Sequence, residues 1–233
     1  MCNFFSCIVT ENGDALFDPM SDSHETIISN NAKNYDLSDD TADPTELKFA
    51  RVEILPPNGD VFQPVDKWFF TIDQRITPAW WSEFHKKQAY DCLNTFLNSA
   101  LLKGKKIQEL STGRYWVKDC RIETLRGNVL IVKLESSQIR EMWGSSQIRE
   151  MWGSSQVGVM RESSQVGEMW ESSQVGVYSE KALFKLKEKA IALLCFSEYP
   201  KIIVANENIV KNIVIEVQKT DETKQSTGKN TKG

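Results

Sequence analysis

The sequence predicts an α+β N-terminal domain, an antiparallel sheet with one long packed helix, followed by a short β-solenoid (β-helix) of nine-residue repeats with a C-terminal capping hairpin. Three observations predict it. A nine-residue unit opening on Ser-Ser-Gln recurs five times between Ser136 and Glu180. Two earlier stretches, around Phe49 to Leu55 and Trp68 to Ile72, alternate apolar residues at the period of a strand. From about Ser82, apolar residues return at helical spacing. The expected boundaries are an N-terminal domain over 1–110 and a solenoid over 111–197 with its core repeats at 136–180. Capping strands over 198–218 and a disordered tail over 219–233 complete the chain.

In the N-terminal domain, Phe4 to Thr10 reads as a strand with Phe5, Cys7 and Val9 on one face. Asn12-Gly13 supplies a turn, and Ala15 to Asp18 returns as its hairpin partner. Asp22 or Ser23 caps a short helix through Ile28. Tyr35 to Glu46 carries Asp36, Asp39, Asp40, Asp43 and Glu46 without a basic residue, which predicts an exposed loop. Ala50, Val52 and Ile54 alternate in a second strand closed by Pro56, Pro57, Asn58 and Gly59, and Trp68, Phe70 and Ile72 alternate in a third. Thr77-Pro78 is a helix-start signature, and Ala89, Cys92, Leu93, Phe96, Leu97, Ala100 and Leu101 share one face of the helix that follows, ending at Gly104. His85 falls on its polar side as plain surface. Tyr115 to Val117 is a strand leading into the first rung.

The repeats read SSQIREMWG, SSQIREMWG, SSQVGVMRE, SSQVGEMWE and SSQVGVYSE. Asp119 to Gly127 is a looser copy, Asn128 to Glu135 is the same unit one residue short, and Lys181 to Glu188 reads as a frayed copy or as a short amphipathic helix running to Leu194. A continuous helix fits the array poorly. At about 100° per residue, nine residues leave successive apolar pairs roughly half a turn out of phase, and the glycines and serines lower helix propensity. A solenoid instead turns position two, position four and position seven inward. Bends come from the glycines at position five (Gly158, Gly167, Gly176) or nine (Gly144, Gly153). One inward ladder contains Ile139, Ile148, Val157, Val166 and Val175, and a second contains Met142, Met151, Met160, Met169 and Tyr178. Two repeats per coil are expected by analogy with other nonapeptide β-helices. Trp143 and Arg161 then share one face, and Trp152 and Trp170 another. These four are the candidate binding residues, although mutual stacking that shields the wall is the plainer reading of them. Ile202 to Ala205 and Ile209 to Val217 are the strands that cap the open end.

Composition limits the function classes. The chain is 40% hydrophobic, enough for a packed core. Its net charge of −4 offers no basic stripe for nucleic acid and is too mild for a nucleic-acid mimic. No apolar run spans a bilayer, and MCNFFSC lacks the charged and apolar regions of a signal peptide, so no membrane association and a cytoplasmic location are expected. The five cysteines are scattered without a C-x-x-C pair and only two histidines exist, so no metal and no cofactor are expected. The repeats lack the Asp of calcium-binding nonapeptides and the Thr ladder of ice-binding ones.

The residue pair with chemical reach is Cys2 with His24. With Met1 removed, Cys2 becomes an N-terminal nucleophile whose own amine serves as base, and His24 assists. Against this, Cys2 begins a strand, His24 stands in the first turn of a helix, and no oxyanion-hole pattern accompanies them.

The segments MCNFFSCIVT, DSHETI, FARVEILPPNGDVF and PAWW, with the SSQVGVM/SSQVGEMW array, resemble a phage and bacterial family that joins an N-terminal MCNFFS domain to nonapeptide repeats. The resemblance runs from Met1 to about Val217. It implies a phage or bacterial source and a cytosolic setting, and brings no catalytic residues. The chain departs from the family pattern in its acidic stretch, Asp36 to Glu46, and in Arg140 and Arg149, which replace the position-five glycine. The expected function is a non-enzymatic protein-interaction module, with a protein partner gripped by the solenoid or the N-terminal domain. A small N-terminal-cysteine hydrolase or amidotransferase, and a self-associating structural protein, are the alternatives.

Overall fold

The computed structural model describes residues 4–35, 37, 43–179 and 181–195, together with the strand backbone of 201–206 and 209–214. Cys2, Asp36, Asp39 and Asp40 of the acidic stretch, and the tail from Lys219 lie outside the described residues.

The first unit is a four-stranded antiparallel sheet built from β1 (Phe5–Thr10), β2 (Ala15–Leu16), β3 (Phe49–Leu55) and β4 (Phe69–Ile72), in the order β2-β1-β3-β4. Alternation assigns its two faces. Phe5, Cys7 and Val9 of β1 and Ala50, Val52 and Ile54 of β3 point to one side. There α2 (Glu83–Ala100) lays Ala89, Cys92, Leu93, Phe96, Leu97 and Ala100 over them. Ile8 and Phe49 point to the other side, where α1 (His24–Asn31) contributes the buried Ile27. Both faces of β1 are therefore covered, and all six of its residues are buried. Ser23 caps α1, its Oγ accepting from the Thr26 amide.

Two details of this unit differ from the sequence reading. The long helix stops at Ala100, and Leu101 opens a strand; Gly104 makes the following turn at φ +64°. His85 is buried (6% exposed) rather than on the surface. Its Nε2 donates to the Glu11 carbonyl at 2.9 Å, which makes Nδ1 the acceptor for the Ser82 hydroxyl at 2.9 Å. Trp80 and Trp81 pack on its ring. These two bonds tie the start of α2 to the β1–β2 turn, a long-range partnership that helical periodicity does not encode.

The solenoid follows directly. Its strands are β5 (Leu101–Lys103), β6 (Lys106–Lys118), β7 (Arg121–Glu135), β8 (Gln138–Met142), β9 (Gln147–Trp152), β10 (Gln156–Met160), β11 (Gln165–Met169), β12 (Gln174–Val177), β13 (Leu183–Leu186) and β14 (Ile191–Leu194). All of these pair in parallel. Partners along the array stand eighteen residues apart, as in Gln138↔Gln156 and Gln147↔Gln165, so one coil is two repeats. Even and odd repeats consequently build two different walls. Wall one stacks β7, β8, β10, β12 and β14, and wall two stacks β7, β9, β11 and β13. The long β6 and β7 cross both walls, bending at Gly113 and Gly127, each at positive φ.

Inside, each expected ladder divides between the walls. Ile122, Ile139, Val157, Val175 and Ala192 stack in wall one, and Ile131, Ile148, Val166 and Phe184 in wall two. Met142 and Met160 continue Leu125, while Met151 and Met169 continue Leu134; all six are fully buried. Each such side chain contributes about 1.5–3 kcal/mol through burial. Tyr178 is not part of this ladder. A register shift between β10 and β12 places Val177 opposite Met160 and leaves Tyr178 42% exposed. Lys181 to Glu188 is a repeat and not a helix, because Leu183–Leu186 pairs with β11.

The corners depend on two positions of the unit. Position two is buried in all five repeats, as Ser137, Ser146, Ser155, Ser164 and Ser173. Ser146, Ser155 and Ser164 each donate to the carbonyl three residues earlier, at 2.7–2.9 Å. The flanking copies place Cys120, Val129, Ala182 and Ala190 there, all of them also buried. Position nine makes the bend. Gly127, Gly144 and Gly153 take φ of +67° to +79°, and Glu162 and Glu171 adopt φ +55° and +57° in the later repeats. Position-five glycines do something different: a Cβ on Gly167 would lie 2.5 Å from the Arg149 carbonyl oxygen of the coil below. Where Arg140 occupies position five, it reaches Glu123 at 3.5 Å.

The C-terminal hairpin, β15 (Lys201–Asn206) and β16 (Ile209–Val214), pairs antiparallel onto β14 and covers the open edge of wall one. At the other end, Trp116 of β6 inserts into the N-terminal core, 4.6 Å from Phe4 and 5.9 Å from Phe96 between ring centres. The Arg114 guanidinium lies over Trp116 at 4.8 Å and pairs with Asp22 at 3.2 Å, fastening α1's approach segment to the same rung.

Met151→Ala should lower stability by about 2–5 kcal/mol, the range for a cavity in a closed core. Glu171→Gly should raise it by up to about 1 kcal/mol, by removing a side chain from left-handed backbone. Urea unfolding of the full chain followed by far-ultraviolet circular dichroism measures both.

Candidate functional site: walls and corners of the solenoid

The side chain at position eight projects at each corner, and the eighteen-residue coil sorts these residues into two columns. In the first, the Arg161 guanidinium lies between Trp143, at 4.9 Å, and Tyr178, at 5.6 Å. The Trp143 indole donates to Glu141 at 2.9 Å. The Arg161 Nε is buried without a hydrogen-bond partner among the described residues, facing aromatic rings instead. Beside this column is a corner cavity of about 570 Å³ edged by Glu162, Ser163 and Lys181.

In the second column, Trp152 and Trp170 stack nearly parallel, with ring centres 5.0 Å apart and planes 7° apart. Lys133 lies over the outer face of Trp152 at 5.3 Å, and Lys187 over Trp170 at 4.0 Å. The result is a four-layer cation–indole–indole–cation column across successive coils. The Trp152 indole donates to Glu150 at 2.9 Å. Glu168, the equivalent acid one coil on, accepts instead from Lys187 at 2.8 Å and Lys185 at 3.0 Å. Those bonds, Lys187 first, hold its carboxyl below the usual glutamate range. The Trp170 Nε1 is consequently left buried without a partner among the described residues.

The flat of wall one carries a different surface. Positions three and five flank the inward ladder and face out, so Gln138, Gln156 and Gln174 form one column and Arg140, Gly158 and Gly176 its neighbour. The missing side chains of Gly158 and Gly176 leave a groove of about 360 Å³ running across the coils, with Arg121 and Arg140 at one end and Leu193 at the other. The N-terminal unit covers the lower coils of wall two, leaving a junction cavity of about 480 Å³ among Phe4, Pro56, Arg114, Trp116, Lys133 and Arg149.

The four candidate residues thus come together as two pairs on separate corners, Trp143 with Arg161 and Trp152 with Trp170. Cys2 lies outside the described residues. His24 sits at the first position of α1, buried, with Nε2 3.2 Å from the Val52 carbonyl and Nδ1 3.4 Å from Asp73. Sequence reasoning missed Lys133, Lys187 and the glutamine column. The lysines belong to the degenerate copies flanking the array, and the glutamines matter only once eighteen-residue stacking aligns them. No protein-family model, curated protein or solved structure matches the chain.

Stacked indoles couple their transitions. Trp170→Ala should therefore abolish an exciton couplet in the circular dichroism of the folded protein that Trp143→Ala leaves in place. Acid should act through Glu168. A carboxylate whose folded pKa is depressed contributes stability above its unfolded pKa, about 4.3, and loses it as pH falls through the lower folded value. Glu168→Gln should therefore melt earlier than the parent at pH 7, and the difference should shrink as pH falls below about 4. Thermal melts across that range check it.

Proposed function

We propose that the chain is a non-enzymatic protein-interaction module whose binding surface is wall one of the solenoid. The observation that carries this reading is the groove over Gly158 and Gly176 beside Gln138, Gln156 and Gln174. Its glycines open the backbone, its glutamines offer a donor and an acceptor at each coil, and its ends differ in polarity. Such a surface suits an extended segment of a partner protein laid across the coils. The corner columns support the wall. Stacking and cation contacts occupy the faces of Trp152 and Trp170, which makes them shields of the solenoid more than anchors for a partner. The phage or bacterial setting implied by the resemblance makes a host protein the expected partner.

Affinity capture from bacterial lysate tests this with four tagged forms. They are the intact chain, a chain lacking one coil (residues 145–162), Gln138/Gln156/Gln174→Ala on wall one, and Gln147/Gln165→Ala on wall two. The reading expects one protein retained by the intact chain and the wall-two variant and lost by the other two forms. Equal retention by all four would move binding to the N-terminal unit, and no specific retention by any would contradict an interaction module.

A further inference from the structure

We propose that His24, Glu53 and Asp73 form a binding site for a divalent transition-metal ion on the α1 side of the N-terminal sheet. The three come from separate elements: His24 opens α1, Glu53 lies in β3, and Asp73 directly follows β4. Adjacent strand pairing, Glu53↔Thr71 and Val52↔Ile72, brings the two carboxylates to one side, and the Asp73 amide is held by the Arg51 carbonyl at 2.8 Å. Each residue offers one ligand atom, and the three atoms lie within 4.8 Å of one another.

The histidine determines the chemistry. A backbone carbonyl only accepts, so the Nε2 that stands 3.2 Å from the Val52 oxygen carries hydrogen. In the neutral ring, Nδ1 then directs its lone pair at Asp73 Oδ2, 3.4 Å away. That distance is long for an N–H···O⁻ bond, which sits near 2.7–2.9 Å. It matches the edge of a tetrahedron whose metal–ligand bonds are about 2.0–2.1 Å, close to 3.3 Å. A ligating imidazole that donates its other N–H to a backbone carbonyl is the usual arrangement around such metals, because it fixes tautomer and ring orientation. His24 is 6% exposed and Asp73 50%, so the imidazole is held in place while the aspartate side stays open to solvent. Two carboxylates beside a neutral imidazole supply charge for a divalent cation, and the imidazole favours zinc, iron, nickel or copper over magnesium or calcium. Three protein ligands leave a tetrahedral ion one position for water.

The test uses the full chain, stripped with chelator, with zinc chloride as the probe in isothermal titration calorimetry. One equivalent should bind per chain, and a hundredfold excess of magnesium should not displace it. Asp73→Asn and Glu53→Gln are solvent-reaching substitutions that keep side-chain size, and each should weaken binding on the order of 100-fold, as loss of a ligand must at least match loss of its supporting bond. Thermal melts establish that both variants remain folded. Cobalt loaded in place of zinc should show no thiolate charge-transfer absorption. Absence of zinc binding, affinity unchanged in both variants, displacement by magnesium, or a thiolate spectrum would each overturn the assignment.

Discussion

Every coil of the solenoid must turn two corners within eighteen residues and return each inward side chain over its predecessor. Both corners bury the residue at position two, and the hydroxyls of Ser146, Ser155 and Ser164 bond a carbonyl three residues earlier. A larger side chain there would displace the ladder it adjoins, since a closed core has no spare volume. Cys120, Ala182, Ala190 and Val129, buried at the same position in the flanking copies, show that burial is the requirement and the hydroxyl an addition. With the corners fixed, parallel pairing sets the register. The aliphatic and methionine ladders, the aromatic columns and the glutamine row are all consequences of it. Surface features repeat because the backbone does.

The same stacking explains how the two units are joined. The helix α2 delivers the chain straight into β5, which pairs in parallel with Trp116 to Lys118 of β6. Trp116 is at once a strand residue of the solenoid and a core residue of the N-terminal sheet. Arg114 is 6% exposed; burial lowers its pKa, and the neighbouring Asp22 opposes that shift. Lower coils of wall two are consequently covered, and wall one is left as the long open surface. The asymmetry between walls that carries the proposed function originates in this junction.

Much of this was legible in the residues. Nine-residue self-similarity, with the half-turn mismatch against a helix, leads to a solenoid; the analogy with other nonapeptide β-helices adds two repeats per coil, and from that follow Trp152 over Trp170 and Arg161 over Trp143. Alternation in Phe49 to Leu55 and helical spacing from Ala89 to Ala100 place the sheet and its helix. What periodicity does not carry is any partnership between distant segments. His85 looks exposed on a helical projection, yet bonds Glu11 across the sequence. His24, Glu53 and Asp73 have no motif spacing and meet only because β3 and β4 pair beneath α1. Tyr178 looks like a ladder residue until the one-residue shift at β12 puts Val177 in its place. The glycine at position five looks like a bend, whereas at Gly158, Gly167 and Gly176 a Cβ would meet the backbone of the coil below, a crowding that Arg140 and Arg149 one coil earlier do not share.

The eighteen-residue register is the claim on which the walls, columns and groove all rest. Pyrene labels report it most directly, placed in pairs on a chain with Cys2 and Cys195 changed to serine. Labels at Gln138→Cys and Gln156→Cys, adjacent on wall one, should give strong excimer emission, and labels at Gln138→Cys and Gln147→Cys, on opposite walls, should give none. Excimer emission from the nine-residue pair and not from the eighteen-residue pair would contradict the account.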